Sequence, residues 1–283
     1  MHLSDIQARL KQIGTRSDDR IPLLETLLLL GVMNWQDIDL DSYRAHGEEL
    51  HHALAIEIET HPIKPDEAIL QWRLARLHAV LVEQFGYHPD VDQDNYDDPD
   101  KVNLLDIIDR RSGVPVALGV LYMDLAERQK WPVTGLNFPG HFLMRFDEGS
   151  QRHIIDPFHP NEVMDAGKLR QLLKNTLGPK AELHHDYYSP VTHRDIILRF
   201  CNKRKTRQIT HEDYIGALQT ITHELWIAPN EPRLLYEMAV ICIKLQRFTQ
   251  ALENLQNFVQ LSNDAQSISE AHAMIRALQR RLS

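Results

Sequence analysis

The stretch from Arg110 to Phe158, RRSGVPVALGVLYMDLAERQKWPVTGLNFPGHFLMRFDEGSQRHIIDPF, decides how this chain folds. It opens on a break, Ser112-Gly113-Val114-Pro115, in which the proline suits the first turn of a helix because its missing amide hydrogen would have had no partner there. From Pro115 to about Gln129 the residues are strongly apolar, so the helix they form is buried on much of its surface. Three short runs with strand character follow, Val133 to Phe138, Phe142 to Phe146 and His153 to Ile155, separated by Pro139-Gly140 and by Asp147 to Gln151. The last two read as an antiparallel hairpin that ends at Asp156-Pro157. No other part of the chain is as rich in strand signals.

Upstream, apolar residues recur at helical spacing from Leu3 to Ile13, Ile21 to Met33, Leu40 to Ile58 and Pro65 to Phe85, which predicts a helical bundle. Pro65 is expected in the first turn of the fourth helix, with Asp66 and Glu67 beside it at the positive helix end. An acidic, turn-rich segment from Asp90 to Asp100 then invites a calcium reading. The template fails, because a calcium loop starting at Asp90 needs glycine and glutamate where the chain has Asn95 and Lys101, so a solvated loop is expected. A short helix is predicted from Val102 to Arg111.

Downstream of about residue 190 the chain turns helical again, and Tyr214 and Phe248, Ala217 and Ala251, Leu218 and Leu252, Ile221 and Leu255, and Ala239 and Ala273 are each 34 residues apart. That period is the tetratricopeptide one, in which a small alanine lets two helices approach closely. One full repeat, about 231 to 262, follows a degenerate one and precedes a terminal capping helix. The fold class expected is therefore α+β and mostly helical: a helical region over 1–100, a core with a small antiparallel sheet over 101–190, and tetratricopeptide-like hairpins over 191–283.

The bulk numbers exclude several roles. At 283 residues, with 43% hydrophobic and 25% charged content, the chain is an ordinary globular one. No apolar run reaches the roughly 18 residues that a bilayer span needs, and Met1 to Asp5 carry no signal-peptide pattern, so a cytoplasmic protein without membrane attachment is expected. A net charge of −9 argues against nucleic acid. The one basic cluster, Lys203 to Arg207, reads as a solvated connection between helices. The two cysteines, Cys201 and Cys242, stand in apolar helical patterns and read as small core residues in a reducing compartment.

Chemistry concentrates in the central stretch. A histidine at the head of one strand, His141, and an aspartate at the end of its neighbour, Asp156, can face each other across the hairpin, the carboxylate fixing the imidazole tautomer. Zinc is a weaker reading of His141, His153, Asp156 and His159, since no helical histidine pair supports it, and no metal or other cofactor is expected.

The order of Arg110-Arg111-Ser112-Gly113-Val114-Pro115, Pro139-Gly140-His141-Phe142 and Asp156-Pro157-Phe158 resembles the transglutaminase-like, papain-like core of the bacterial SirB1-type proteins, over about residues 20 to 265. The resemblance implies a helical N-terminal region and C-terminal tetratricopeptide repeats. It also implies the order cysteine, histidine, aspartate in catalytic members of the wider superfamily, with the cysteine in the first turn of the buried helix. His141 and Asp156 match the last two positions, but the cysteine position falls at Val114 to Val116, most closely on Pro115. Ser112 reads as a local cap or turn residue. A relic His141–Asp156 pair is expected, with Arg111, Ser112, Pro115, Phe142 and Phe158 as candidates to line a remaining pocket. The function expected is non-catalytic binding of a protein or peptide partner through the repeats and the relic cleft. The alternative is an amide-bond hydrolase or acyltransferase that uses the pair with another nucleophile or a metal.

Overall fold

In the computed structural model, which describes residues 2–35, 38–91 and 98–282, the apolar periodicities become α1 (Leu3–Gly14), α2 (Leu23–Val32), α3 (Leu40–Thr60) and α4 (Ile69–His78), the last continuing into a π-helical turn, Ala79–Gln84. Pro65 is not in α4. Glu67 folds back on Lys64, its carboxylate and amide both bonding to the Lys64 backbone, and this turn uses up the segment before Ala68 caps the helix. Next come β1 (His88–Pro89), α5 (Leu104–Arg110), β2 (Ser112–Gly113) and α6 (Pro115–Arg128). The short helix starts at Leu104 because the Asn103 side chain accepts the Leu105 amide, an ordinary helix cap. Of the acidic segment weighed for calcium, residues 92–97 lie outside the described residues.

The sheet strands are β3 (Val133–Leu136), β4 (Leu143–Glu148), β5 (Gln151–Asp156) and β6 (His159–Val163), followed by α7 (Ala166–Leu177) and β7 (Pro190–Val191). They form one antiparallel sheet in the order β6-β5-β4-β3-β7. The predicted hairpin is present, with Phe146 opposite His153 and Met144 opposite Ile155. It does not end at Pro157. The chain turns there and adds β6, an exposed edge strand whose polar sequence, His159-Pro160-Asn161-Glu162, carries no alternation to betray it. β1 and β2 pair in parallel.

The contacts divide the chain into two compact units, and the division falls inside α8 (His193–Thr210). The unit Asp18–Phe200 holds the sheet, with α6 against β3 and β4 and α4 against β4 and β6. Its core includes Leu27, Leu29, Leu105, Val120, Met144 and Phe146. The other unit joins Met1–Ser17 to Cys201–Ser283. It contains α9 (Tyr214–Ile227), α10 (Pro232–Lys244), α11 (Phe248–Leu261) and α12 (Ala265–Leu282), linked by short turns, and α1 lies against α9.

The alanines at 217, 239 and 251 are fully buried, as the period requires, but Ala273 is exposed and Ala271 takes the buried place. The face of α12 is set by Ala271, Met274, Ile275 and Leu278, and position 273 lies off that stripe. The basic run is not a connection either. It lies within α8, and Lys205 is buried with its ammonium 2.7 Å from Glu224 and 2.6 Å from Glu237. No helix among the described residues is long and apolar enough to cross a membrane.

Candidate functional site

The β4–β5 register, continued one step, sets Asp156 opposite Leu143, two residues beyond His141. The imidazole Nε2 lies 2.8 Å from Asp156 Oδ1. The Phe158 amide donates to the same oxygen at 2.9 Å, and His159 Nδ1 lies 3.4 Å from Oδ2. Burial by itself would raise the Asp156 carboxyl, but the His141 hydrogen bond and charge, with the Phe158 amide and His159, outweigh it and hold the group below the usual aspartate range. An ionised carboxylate only accepts, so Nε2 carries the hydrogen and the lone pair of neutral His141 is at Nδ1, the basic nitrogen of the pair.

The loop bearing His141 is fastened from both sides. The Arg199 guanidinium donates to the carbonyls of Phe138 (2.7 Å) and His141 (2.6 Å) and stands over the Phe142 ring, and burial lowers its pKa. Gly140 takes φ +73°, and a side chain there would run into Thr176.

The candidate pocket residues part company. Phe142 is only 2% exposed, and its ring occupies the space that side chains at Gly119 of α6 and Gly135 of β3 would fill. It is a core plug between helix and sheet, which corrects its reading as a pocket residue. Arg111, in the left-handed conformation at the end of α5, donates to the Ile108 carbonyl (2.8 Å), the Tyr87 hydroxyl (2.9 Å) and His46 Nε2 (2.7 Å). Burial and then the Arg111 charge lower the His46 pKa. Ser112 is buried in β2 and caps nothing, since Arg111 ends the helix; its reading as a cap or turn residue is corrected. Pro115 is the first residue of α6, as expected. One turn later a side chain on Gly119 would meet Phe142 and Pro157, the chain neighbours of His141 and Asp156. Phe158 meets the His141 ring edge-on at 5.8 Å and lines a cleft.

That cleft has a volume of about 310 Å³, with Val82, Leu118, Tyr87 and Tyr122 behind Phe158 and with His78, His88, His159, Asn161 and Glu162 at its polar edge. The Tyr122 hydroxyl is buried with no hydrogen-bond partner, and burial pushes its pKa well up. The π-helical turn sends Val82 into this cleft and Ala79 and Glu83 into a larger polar one of about 580 Å³, where Arg76 and His61 pair with Glu57. A π-turn offsets successive side chains from the α-helical stripe, and no periodicity in the sequence flags it. Tyr122 was legible in principle, because Pro115, Leu118 and Tyr122 share one face of α6 at spacings of three and four.

For the zinc reading, His141 and His159 do meet Asp156, while the buried His153 Nδ1 has no partner. Among the described residues, ligand atoms of three groups come within 4.8 Å of one another at His184, His185 and Asp186, all exposed. Both thiols are buried, and burial raises both pKa values.

A family profile described as the transglutaminase-like superfamily matches residues 45–202, more than half of the chain. A protein of Xylella fastidiosa called UPF0162 protein is 27% identical over 252 residues, covering 88% of this chain and 87% of that one. A Vibrio cholerae protein of the same designation is 28% identical over 66% of this chain and 69% of its own length. Protein SirB1 of Salmonella typhimurium is 26% identical over 54% of this chain and 57% of its own. No solved structure matches.

Proposed function

This chain belongs to the transglutaminase-like superfamily, as a SirB1-type protein, and on that premise we propose that it is a non-catalytic, cytoplasmic protein that binds a protein or peptide partner. The observation that carries this reading is Pro115 in the first turn of α6, a helix whose next turn, at Gly119, packs against Phe142 and Pro157, the chain neighbours of His141 and Asp156. In a cysteine acyl-transfer enzyme that turn holds the nucleophile, because the positive helix end lowers a thiol's pKa. Here a residue with no nucleophilic atom fills it, and burial works against thiolate formation at Cys201 and Cys242. Without a covalent route the pair keeps a hydrogen-bonding role, and the cleft beside Phe158 is left to bind without turnover. The C-terminal hairpins, as tetratricopeptide-type repeats, supply the second surface for the partner.

One observation favours a second reading, an amide-bond enzyme. The pair is fully assembled, with its basic nitrogen on Nδ1 and His141 partly exposed. A single experiment separates the two. The full chain, its His141→Ala and Pro115→Cys variants and the double variant are assayed for ammonia release from an acylated glutamine amide and for incorporation of a fluorescent amine. The expected result is no turnover in the wild type or in His141→Ala, while Pro115→Cys gains a thiol alkylated rapidly by iodoacetamide only when His141 is present. Wild-type turnover that vanishes in His141→Ala overturns the non-catalytic reading.

A further inference from the structure

The cleft beside Phe158 contains groups that the His141–Asp156 pairing does not use. Its wall includes Tyr122, whose buried hydroxyl lacks the partner that buried polar groups ordinarily have. At its edge, two imidazoles have their hydrogens assigned by their neighbours. His88 Nδ1 lies 3.0 Å from the Pro89 carbonyl oxygen, which can only accept, so Nδ1 carries the hydrogen and the neutral ring offers a lone pair at Nε2. His159 Nδ1 faces the ionised Asp156 carboxylate, and by the same logic its Nε2 is an acceptor. Glu162 adds a carboxylate, no lysine or arginine lines the cleft among the described residues, and the chain's formal charge is −9. The site is rich in acceptors and ring faces and poor in donors.

That inventory selects among ligand classes. A metal ion does not fit, since no three of His78, His88, His159 and Glu162 bring ligand atoms within 4.8 Å of one another. An anion would meet lone pairs and a carboxylate, and the cation at that edge, Lys168, is already engaged by Glu162. A compact ammonium is strongly hydrated, and Glu162, the carboxylate that could replace its water, is already held by Lys168 at 2.7 Å. A guanidinium is planar and more weakly hydrated, lies flat on aromatic rings, and presents N–H groups along its edges to separate acceptors.

We propose that this cleft binds a guanidinium on an apolar stem, an arginine side chain of the partner, with its plane on the Phe158 ring and its N–H groups on His88 Nε2 and His159 Nε2. A cleft of about 310 Å³ has room for such a side chain. The inference deepens the proposed function and rests on it, since it takes the cleft to be a binding site.

The test uses the full chain and three small probes: the Nα-acetyl methylamides of arginine, lysine and citrulline, the last being the neutral isostere of arginine. Binding is followed by calorimetry and by NMR shifts of ring protons. Arginine is expected to bind at least about tenfold more tightly than citrulline and several-fold more tightly than lysine, the range that charge-assisted hydrogen bonds supply. His159→Leu and His88→Leu, both at exposed positions, should each weaken arginine binding several-fold with unchanged circular dichroism. Equal affinity for citrulline, absence of binding by all three probes, or arginine binding indifferent to both variants would overturn the proposal. These outcomes leave the non-catalytic reading untouched, whereas amide turnover by the wild type would sink that reading and not the arginine preference.

Discussion

Asp156 shows how a single residue was both legible and misjudged in its surroundings. Its pairing with His141 follows from strand order, because the segment leading into β4 and the end of β5 lie side by side in a tight antiparallel hairpin. The role of Phe142 did not follow, since its neighbours Gly119 and Gly135 are distant in sequence and only their missing side chains make room for its ring. Asp156 is held below its ordinary value of 3.8. A depressed carboxyl contributes stability that is present above the unfolded-state pKa and is lost as pH falls through the folded one. Asp156→Asn is therefore expected to cost about 1–3 kcal/mol at pH 7 by leaving the Phe158 amide and His141 with a weaker acceptor. In urea unfolding, the deficit relative to wild type should shrink below about pH 4, where the unfolded wild type takes up the proton first and folded Asp156 follows at lower pH. A deficit constant from pH 7 to pH 3 would show that the carboxylate charge has no part in it.

Elements were legible where one face repeats, and illegible where a long-range contact sets the role. α6 was read correctly because its apolar run and its opening proline are local signals. β6 is illegible because an exposed edge strand with a proline has no alternation to detect. The basic run reads as a connection because charge suggests solvent, yet α8 buries Lys205 between Glu224 of α9 and Glu237 of α10. Two variants test these elements. In α6, Gly119→Ala would gain about 1 kcal/mol of helix propensity in isolation. Its methyl group, however, meets the Phe142 ring, and overpacking of this kind costs about 1–3 kcal/mol, so thermal unfolding should show net destabilisation. In α8, Lys205→Met leaves the buried Glu224 without its ion-pair partner, while Glu237 keeps Arg233, and should cost about 3–5 kcal/mol at pH 8. Burial lifts Glu224 to about 7 even with Lys205 beside it. For a carboxyl raised in the folded state, the stabilising contribution is present below its ordinary value and is lost as pH rises through about 7. Glu224→Gln should thus flatten the decline in stability between pH 5 and pH 8, and an unchanged slope would count against it.

For the molecule as a whole, the informative feature is which segments share a unit, and sequence proximity does not give it. α1 precedes the helices of the first hundred residues and matches them in pattern, yet its contacts are with the C-terminal helices: Gly14 approaches the Trp226 carbonyl so closely that no side chain would fit, and the Lys11 ammonium stands over the Trp226 ring. Ile6, Leu10 and Ile13 are fully buried, a stripe of large aliphatic residues whose burial is worth about 1.5–3 kcal/mol each. Stability in such a chain is distributed by contact and not by position, so the two units can open with different free energies. Removing residues 2–17 should therefore raise amide exchange in α9 by an order of magnitude or more. The strands β4 and β5, in the unit Asp18–Phe200, should keep their protection. Native-state hydrogen exchange read by mass spectrometry distinguishes the outcomes, because α9 and β4 yield separate peptides. Equal loss of protection in both would mean that the chain unfolds as a single cooperative body, and loss confined to residues 18–60 would place α1 with its sequence neighbours after all.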